Sequence, residues 1–339
     1  MQNSGNPFHP AKLILAGDIG GTKTLLQLAE SGKQGIRVLH EQRFDSHAHS
    51  GLAPIVLQFL QNLNVAPTTI FSACFGVAGP VAGRQAKLTN LPWLIDVDEI
   101  ERTCGFSRVR LMNDFEAVGY GIEALRSEDV ATLQIGQANA LGTRVVLGAG
   151  TGLGVCFLVP QDNHYQVVSS EGGHMDFAPT DELQIDLLRF LQKKFGHVSY
   201  ERILSGAGLV AIYQFLGQRA AELESTEMQH AMQTRDAAAV ISEFALSGKD
   251  KLAVNALELF VKIYGAQAGN LALALLARGG VYIAGGIAPK IIDKMKASAF
   301  MEAFLDKGRY TEILSTLPVH VVMNEKVGLL GAALAASRM

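Results

Sequence analysis

One local pattern occurs twice in this chain: an apolar run, a glycine-rich turn and a second apolar run. The turns are 17–22 in the first copy and 148–154 in the second. Glycine lets the backbone turn with positive φ or lie against a ligand, so each copy predicts a β-hairpin with a glycine-rich tip. A short repeat can arise by chance, and duplication therefore needs support from the rest of the chain. The flanking runs are 13–16 and 24–29, then 144–147 and 155–159.

The remainder of the chain supplies that support, because predicted strands and helices alternate along it. We therefore predict an α/β protein with two domains: a smaller one over 13–112 and a larger one over 113–324, after a flexible N-terminal segment 1–12. The segment 325–339 is rich in small residues that permit close backbone approach, and we expect its helix to complete the smaller domain. The segment 217–250 is interpreted as a surface helix pair.

Composition excludes several classes of protein. Hydrophobic residues make up 48% of the chain, which is too many for a disordered protein. The 29 basic and 32 acidic residues give a net charge of -3, so we expect no nucleic-acid partner. The longest apolar run, 271–277, is too short to span a membrane, and 1–12 lacks an export signal. Cys74, Cys104 and Cys156 suit a reducing compartment, and we expect a cytoplasmic protein.

The first glycine turn has the composition of an anion-binding loop. Successive backbone N–H groups in such a tip can surround a phosphate, and glycine keeps side chains out of the way. The alternative is a plain tight hairpin in which Asp18 caps its own turn. Asp18 would repel a bare phosphate but suits a hydrated Mg²⁺ held beside one. The turn consists of Gly17, Asp18, Ile19, Gly20, Gly21 and Thr22.

The dipeptide Asn113-Asp114 follows a predicted strand and precedes a predicted helix. Asn and Asp are favoured helix N-caps, and capping is the simpler interpretation. The functional interpretation is a general base, because open α/β sheets bind ligands at the carboxyl ends of their strands.

Two further patterns suggest a sugar and a nucleotide. Glu171, His174 and Glu201 could surround a polyol, since each carboxylate accepts hydrogen bonds from two hydroxyls; alternatively, the histidine is structural and Glu201 forms a surface pair with Arg202. As sugar ligands the two glutamates would lie in an open, wet site without an obligatory protein partner. The pair Gly285-Gly286 ends a predicted strand and could admit adenosine, or serve only strand-to-helix packing.

Eight segments resemble those of the bacterial glucokinase family, in the same order and at the same spacing. The resemblance runs from about residue 13 to 336, and the family belongs to the hexokinase–actin–heat-shock chaperone superfamily. It implies two ribonuclease-H-like lobes of the actin-like ATPase type with a nucleotide and sugar cleft between them. The segments are LAGDIGGTKT, LTNLPW, LMNDFEAVGYGI, LGAGTGLG, SSEGGHMDFAP, HVSYERILSGAGLV, GGVYIAGGIAP and GLLGAA.

The resemblance also implies roles for individual residues and ligands. Asp114 would be the catalytic base for the 6-hydroxyl of glucose, and Gly17 to Thr22 would form the first ATP-phosphate loop. No metal ligands are expected from the protein; Mg²⁺ would arrive with ATP and lie near Asp18. We also expect a homodimer. The remaining sugar-binding residues would be Asn90, Asn113, Glu171, His174 and Glu201; the second phosphate loop would be Gly150, Thr151 and Gly152, with Gly285 and Gly286 at adenosine.

Three alternatives remain at this stage. The related ROK kinases carry a cysteine-rich zinc site after the histidine, whereas Met175 follows His174 here, which disfavours them. A hexose kinase with another sugar or phosphoryl donor stays open. A sugar-sensing regulator without catalysis would need a DNA-binding module, for which we expect no room before the first strand.

One residue of the first phosphate loop region departs from the family pattern. Lys23 stands where close relatives commonly have asparagine, so the side-chain contacts to the phosphates are expected to differ there.

Overall fold

The computed structural model describes residues 11–33, 35–88, 91–162, 164–219, 225–297 and 299–339. Its strands are β1 Lys12–Ile19, β2 Lys23–Gly32, β3 Gly35–Asp45, β4 Ile70–Val77, β5 Val81–Ala82, β6 Gln85–Lys87, β7 Leu94–Asp96, β8 Val109–Asn113, β9 Val130–Gln134, β10 Arg144–Ala149, β11 Leu153–Gln161, β12 His164–Ser170, β13 Gly280–Ala284 and β14 Val319–Val322. Its α-helices are α1 Leu52–Asn62, α2 Val97–Cys104, α3 Asp114–Ile122, α4 Glu182–Phe195, α5 Gly206–Arg219, α6 Thr226–Thr234, α7 Ala237–Leu246, α8 Lys251–Leu275, α9 Ile292–Lys296, α10 Ala299–Leu305, α11 Thr311–Ser315 and α12 Val327–Ser337.

The chain divides into two compact units. The first contains the chain up to Leu125 together with Lys326–Met339, and the second contains Arg126–Glu325. Helix α3 therefore belongs to the first unit, whereas the sequence analysis placed 113–324 in the larger domain. The reason is that α3 packs along α12 and beneath β4. Of the segment 1–12, only residues 11 and 12 lie in the described part, and Lys12 already begins β1.

The first unit is built on a sheet in the order β3-β2-β1-β4-β8. Strands β1, β2 and β3 form an antiparallel meander, and β4 and β8 run parallel to β1. Alternate residues face opposite sides of the sheet. Leu15 and Ile19 accordingly join the core under α1 and α2, whereas Ile14, Ala16 and Met112 lie against α3 and α12. Strands β5, β6 and β7 form a small separate sheet.

The second unit repeats this plan. Its sheet has the order β12-β11-β10-β13-β14-β9, in which an antiparallel meander is again followed by two parallel strands. The added strand β9 pairs antiparallel with β14. Helix α8 forms the centre of the core, where the hydroxyl of the buried Tyr264 accepts a hydrogen bond from the Ala149 amide at 3.0 Å. The fold is therefore a duplicated α/β unit of the ribonuclease-H-like, actin-like ATPase type, as the resemblance to the bacterial glucokinase family implied.

Glycine allows the two helices α3 and α12 of the first unit to touch at the backbone. A Cβ at Gly331 would overlap the carbonyl oxygen of Ala117, and a Cβ at Gly121 would overlap that of Val327. The buried Ser72 hydroxyl in β4 donates to the Ala336 carbonyl at 2.6 Å and holds the far end of α12. The small residues of the C-terminal helix thus serve the close packing that the sequence predicted.

The interpretation of 217–250 as a surface helix pair is only partly right. Residues 225–250 do contain two helices, α6 and α7, while 220–224 lie outside the described residues. However, α7 buries Val240, Ile241 and Phe244 in the core of the second unit. Within the described residues, no helix combines the length and apolar character needed to cross a membrane.

Candidate active site

Parallel strands bring Asp18 and the Asn113-Asp114 pair to one edge of the first sheet. In the β1–β4 pairing Asp18 lies beside Gly76, and in the β4–β8 pairing Val77 lies beside Asn113. Asn113 is the N-cap of α3: its side-chain oxygen accepts from the amides of Phe115 at 2.9 Å and Glu116 at 3.3 Å. The capping interpretation therefore holds for Asn113, while Asp114 begins the helix.

The Asp114 carboxyl group is hydrogen-bonded at the start of α3 and can still accept further hydrogen bonds. Its Oδ1 accepts from the Phe115 amide at 2.8 Å, and the Asn113 side chain also hydrogen-bonds to the carboxyl group. The Asn113 amide donates to the Gly79 carbonyl at 3.2 Å as well. An ionised carboxylate has about four acceptor positions on its two oxygens, so Asp114 keeps room for a hydroxyl group of a ligand.

Gly76 determines how closely α3 approaches the sheet at this point. A Cβ at Gly76 would lie 3.0 Å from the Ala117 Cβ and 3.8 Å from the Asp114 Cα. Without that Cβ, the first turn of α3 packs against β4 and brings Asp114 close enough to Asp18 for their charges to interact.

This crowding changes the acidity of both carboxyl groups. Burial raises the pKa of Asp114; the Phe115 amide opposes the shift, and the nearby Asp18 charge adds to it. Burial likewise raises the pKa of Asp18, with Lys23 as the opposing charge. Solvent still reaches Asp114, so the pair lies in an open recess rather than in the core. Two carboxyl groups with raised pKa values in a recess are a common feature of catalytic sites.

The tip of the first hairpin presents unused amide groups. The Gly20 amide donates to the Lys23 carbonyl at 2.9 Å and closes the turn. In the part of the chain that the structure describes, no hydrogen bond uses the amides of Gly21 or Thr22. The anion-binding interpretation needs such free donors at the tip. The buried Ser46 and Thr24, which the sequence analysis did not identify, form the base of this tip.

In the second unit, Glu171, His174 and Glu201 lie on two neighbouring turns that meet at Leu153. The Gly172–His174 turn approaches so closely that a Cβ at Gly173 would overlap the Leu153 carbonyl oxygen. From the other side, the Glu201 Oε2 accepts a hydrogen bond from the Leu153 amide at 3.0 Å. Leu153 begins β11, directly after the second glycine turn. The predicted sugar residues and the predicted second phosphate loop are therefore in contact.

The three candidate sugar residues differ in their protein partners. The Glu171 side chain is 90% exposed and that of His174 59%, with 3.9 Å between the Glu171 Oε2 and the His174 Nε2. Glu201 is half-buried and bonded to the backbone. We expected both glutamates to be exposed and to have no obligatory protein partner. Glu171 is indeed exposed. For Glu201 the expectation is wrong, because its turn packs on Leu153, a contact that the sequence does not show.

The glycines of the second unit fall into two groups. A Cβ at Gly285, where φ is +81°, would lie 2.5 Å from the Ala149 carbonyl oxygen, and one at Gly152 would lie 2.5 Å from the Glu201 Oε2. By contrast, a Cβ at Gly150 or Gly286 would meet no atom within 4 Å. The fold itself explains the first pair. The second pair leaves open space beside the backbone, which suits the close approach of a ligand.

The resemblance given above implies that Gly150 and Gly286 face the nucleotide, and on that hypothesis we expect Gly150→Ala and Gly286→Ala to weaken ATP binding without destabilising the protein. Each added methyl group would occupy ligand space, and we expect KM for ATP to rise about three- to tenfold, the equivalent of roughly 1 kcal/mol. Steady-state kinetics and thermal melts would measure both effects. Gly285→Ala is the contrasting control, since its Cβ meets the Ala149 backbone and should lower Tm. Unchanged ATP kinetics in both variants would show that these glycines do not face the nucleotide.

The remaining candidates have plainer surroundings. Asn90 lies outside the described residues. Thr151, Lys23 and Met175 are exposed, and Met175 takes part in the fold through its carbonyl, which accepts from the Tyr200 amide at 2.9 Å. Each unit thus gathers its own set: Asp18, Asn113 and Asp114 in the first, and the glycine turn with Glu171, His174 and Glu201 in the second.

Comparison with known proteins identifies the family. The glucokinase family model matches residues 15–339. A glucokinase from Nostoc sp. is 47% identical to this chain over an alignment 341 residues long. The alignment covers 96% of this chain and 99% of that protein. The crystal structure of a glucokinase from an Antarctic psychrotroph is 31% identical with a TM-score of 0.84, covering 97% of this chain and 99% of that one. A glucokinase from Balamuthia mandrillaris, crystallised with glucose, shares the fold at 21% identity and a TM-score of 0.76, covering 98% and 95% of the two chains. The chain belongs to the glucokinase family.

Proposed function

We propose that this chain transfers the terminal phosphoryl group of ATP to the 6-hydroxyl of glucose, with the Asp114 carboxylate as general base. Family membership supports the reaction and the use of ATP, since the match to glucokinases extends over nearly the whole chain. The observation that carries the role of Asp114 is its position: it lies at the carboxyl end of β8, beside Asp18, and its pKa is raised.

Asp114 orients the sugar hydroxyl and takes its proton. As the bond between the sugar oxygen and the γ-phosphorus forms, the bond from that phosphorus to the bridging oxygen breaks and ADP leaves with the electron pair. The hydroxyl proton passes to the Asp114 carboxylate. A raised pKa makes this carboxylate a stronger proton acceptor than an ordinary aspartate. Phosphoryl transfer otherwise depends on positioning and charge stabilisation rather than on covalent chemistry by the protein.

The other polar residues hold the sugar. Glu171, Glu201 and His174 accept hydrogen bonds from hydroxyl groups, and the Asn113 side chain contacts another. When a sugar lacks one of these hydroxyls, the protein group that would bind it is left without a hydrogen-bond partner. The site therefore discriminates against such sugars. Asn90 stays in this set as a prediction.

The glycine turns hold the nucleotide. The free amides of Gly21 and Thr22 suit the phosphates, and the open space at Gly150 and Gly286 suits close backbone contact. Mg²⁺ fits beside Asp18, because a cation relieves the repulsion between two neighbouring carboxylates. When bound, Mg²⁺ neutralises charge on the β- and γ-phosphates.

Activity assays on the purified protein test the proposal. We expect ADP release with glucose and ATP, dependent on added Mg²⁺, with no stoichiometric zinc by elemental analysis. A panel of glucose, mannose and fructose, each with ATP or polyphosphate, would identify the sugar and the donor. Faster turnover with another hexose or donor would contradict the assignment, and one tightly held zinc per chain would favour a ROK-type kinase.

Two glutamate variants separate sugar binding from structural roles. We expect Glu171→Gln to leave the Tm of the sugar-free protein nearly unchanged, because the side chain is exposed. KM for glucose should rise about ten- to hundredfold, since a hydrogen bond to a charged group contributes roughly 1.5–3 kcal/mol. Glu201→Gln should show both effects, a raised KM and a lower Tm, because it also weakens the contact with the Leu153 amide. Melts with and without glucose, and kinetics, would measure them.

The exposed Glu312→Gln is the control and should change neither quantity. Unaltered glucose affinity in both site variants, with a lowered Tm, would assign the two glutamates to the fold.

The cellular setting follows the same proposal. Cys74, Cys104 and Cys156 are buried and none of the three is in a disulfide, which supports a reducing cytoplasm. The homodimer stays a prediction that sedimentation would test.

A further inference from the structure

Ser46 contacts the first glycine turn at two carbonyl groups. It follows β3 and is fully buried. Its amide donates to the Thr22 carbonyl at 3.0 Å, and its hydroxyl donates to the Gly20 carbonyl at 2.9 Å. One residue from another part of the chain thus fixes two carbonyls on either side of Gly21.

A second buried hydroxyl supports Ser46. The Thr24 and Ser46 hydroxyl oxygens are 3.0 Å apart, and both residues are fully buried. A serine hydroxyl has one hydrogen, which Ser46 already donates to Gly20, so Thr24 must donate to Ser46. The hydrogen bonds therefore run in one direction, from Thr24 through Ser46 to the Gly20 carbonyl. Such chains are polarised, and each bond strengthens the next.

The geometry of the peptide bond transmits this contact to the tip. In a planar trans peptide, the C=O and N–H groups point in opposite directions. The Gly20 carbonyl and the Gly21 amide belong to the same peptide. When Ser46 holds the carbonyl, the Gly21 N–H must point away from Ser46. This is one of the two tip amides that no hydrogen bond uses in the described part of the chain.

We propose that Ser46, supported by Thr24, is a positioning residue for ATP: it holds the Gly20 carbonyl and thereby directs the Gly21 amide toward the phosphates. This inference rests on the proposed function of the turn as a phosphate loop. Neither side chain needs to touch ATP, since both act through the Gly20–Gly21 peptide.

The test compares Ser46→Ala with Ser72→Ala. Ser72 is a matched control in the same unit, because it too is a buried serine whose hydroxyl donates to a backbone carbonyl. We expect both variants to lower Tm by about 2–6 °C. Only Ser46→Ala should raise KM and Kd for ATP with Mg²⁺, by about two- to tenfold, with KM for glucose unchanged. An equal fall in Tm with unchanged ATP affinity would overturn the proposal.

A second pair of variants keeps the test decisive if Ser46→Ala does not fold. Thr24→Val removes the hydroxyl at nearly constant shape, and Thr24→Ser keeps it. We expect Thr24→Val to weaken ATP binding and Thr24→Ser to restore it to near the wild-type value. Equal ATP affinity in the two variants would also overturn the proposal.

Gly21→Ala separates this inference from the proposed function. If Gly21→Ala weakens ATP binding while the Ser46 and Thr24 variants do not, the turn is a phosphate loop that Ser46 does not position. If Gly21→Ala leaves ATP binding unchanged, the turn is not the phosphate loop, and both the assignment and the inference fail.

Discussion

Asp114→Asn is expected to lower kcat by at least about a hundredfold while KM for glucose stays close to the wild-type value. Asparagine keeps the shape of the side chain and its hydrogen bond from the Phe115 amide, but it cannot accept the proton of the sugar hydroxyl. Steady-state kinetics on the folded variant would measure the effect. Asp96→Asn is a suitable control, because Asp96 caps α2 through the Asp98 and Glu99 amides and should affect Tm rather than kcat. Near-normal turnover would remove Asp114 from the catalytic role.

The same substitution should have a characteristic effect on stability. The pKa of Asp114 is raised in the folded protein, so its ionised form reduces stability at neutral pH, and this cost disappears as pH falls through the raised pKa. Asp114→Asn should therefore have a Tm equal to or above that of the wild type at neutral pH. The difference should shrink in mildly acidic buffer, and thermal melts over that range would measure it. A variant less stable than the wild type at neutral pH would show that Asp114 serves the fold.

Gly331→Ala is expected to destabilise the first unit strongly. The new Cβ would overlap the Ala117 carbonyl oxygen and force α12 away from α3. Overpacking of this kind costs about 1–3 kcal/mol, and Tm should fall by about 2–4 °C for each kcal/mol. Because α3 begins at Asp114, kcat should fall as well.

Gly328→Ala in the same helix is the matched control. A Cβ there would lie 3.7 Å from the Val118 Cγ2, an ordinary contact, and alanine favours a helix over glycine by about 0.5–1 kcal/mol. We expect Gly328→Ala to be neutral or stabilising. Equal behaviour of the two variants would show that α3 and α12 do not depend on backbone contact.

Features encoded by neighbouring residues could be predicted from the sequence. Both glycine-tipped hairpins, the buried strands β4 and β8 and the long helix α8 follow local apolar patterns. Strand β3 was not predicted, because it lies at the sheet edge and most of its residues are exposed, so no apolar alternation marks it. Strand β12 lies at the corresponding edge of the second sheet, and it was not predicted either.

The candidate site shows the same division. Asn113-Asp114 could be found because a strand end and a helix start meet there in the sequence. The roles of Ser46, Gly76 and the Glu201–Leu153 contact could not, because each depends on an element that is distant in the chain. Glu201 is an example. Its sequence neighbour Arg202 suggests an exposed ion pair, whereas its partner in the structure is the backbone amide of Leu153, in β11.

The membership of α12 in the first unit has a consequence for protein synthesis. Ile14, Ala16 and Met112 emerge early from the ribosome, but α12, which covers their side of the sheet, follows only after the whole of 126–325 has been made. The first unit therefore cannot complete its core before residues 126–325 have been made. Until then the part of the sheet face that α12 covers stays open in the nascent chain, and the second unit is free to fold before the first.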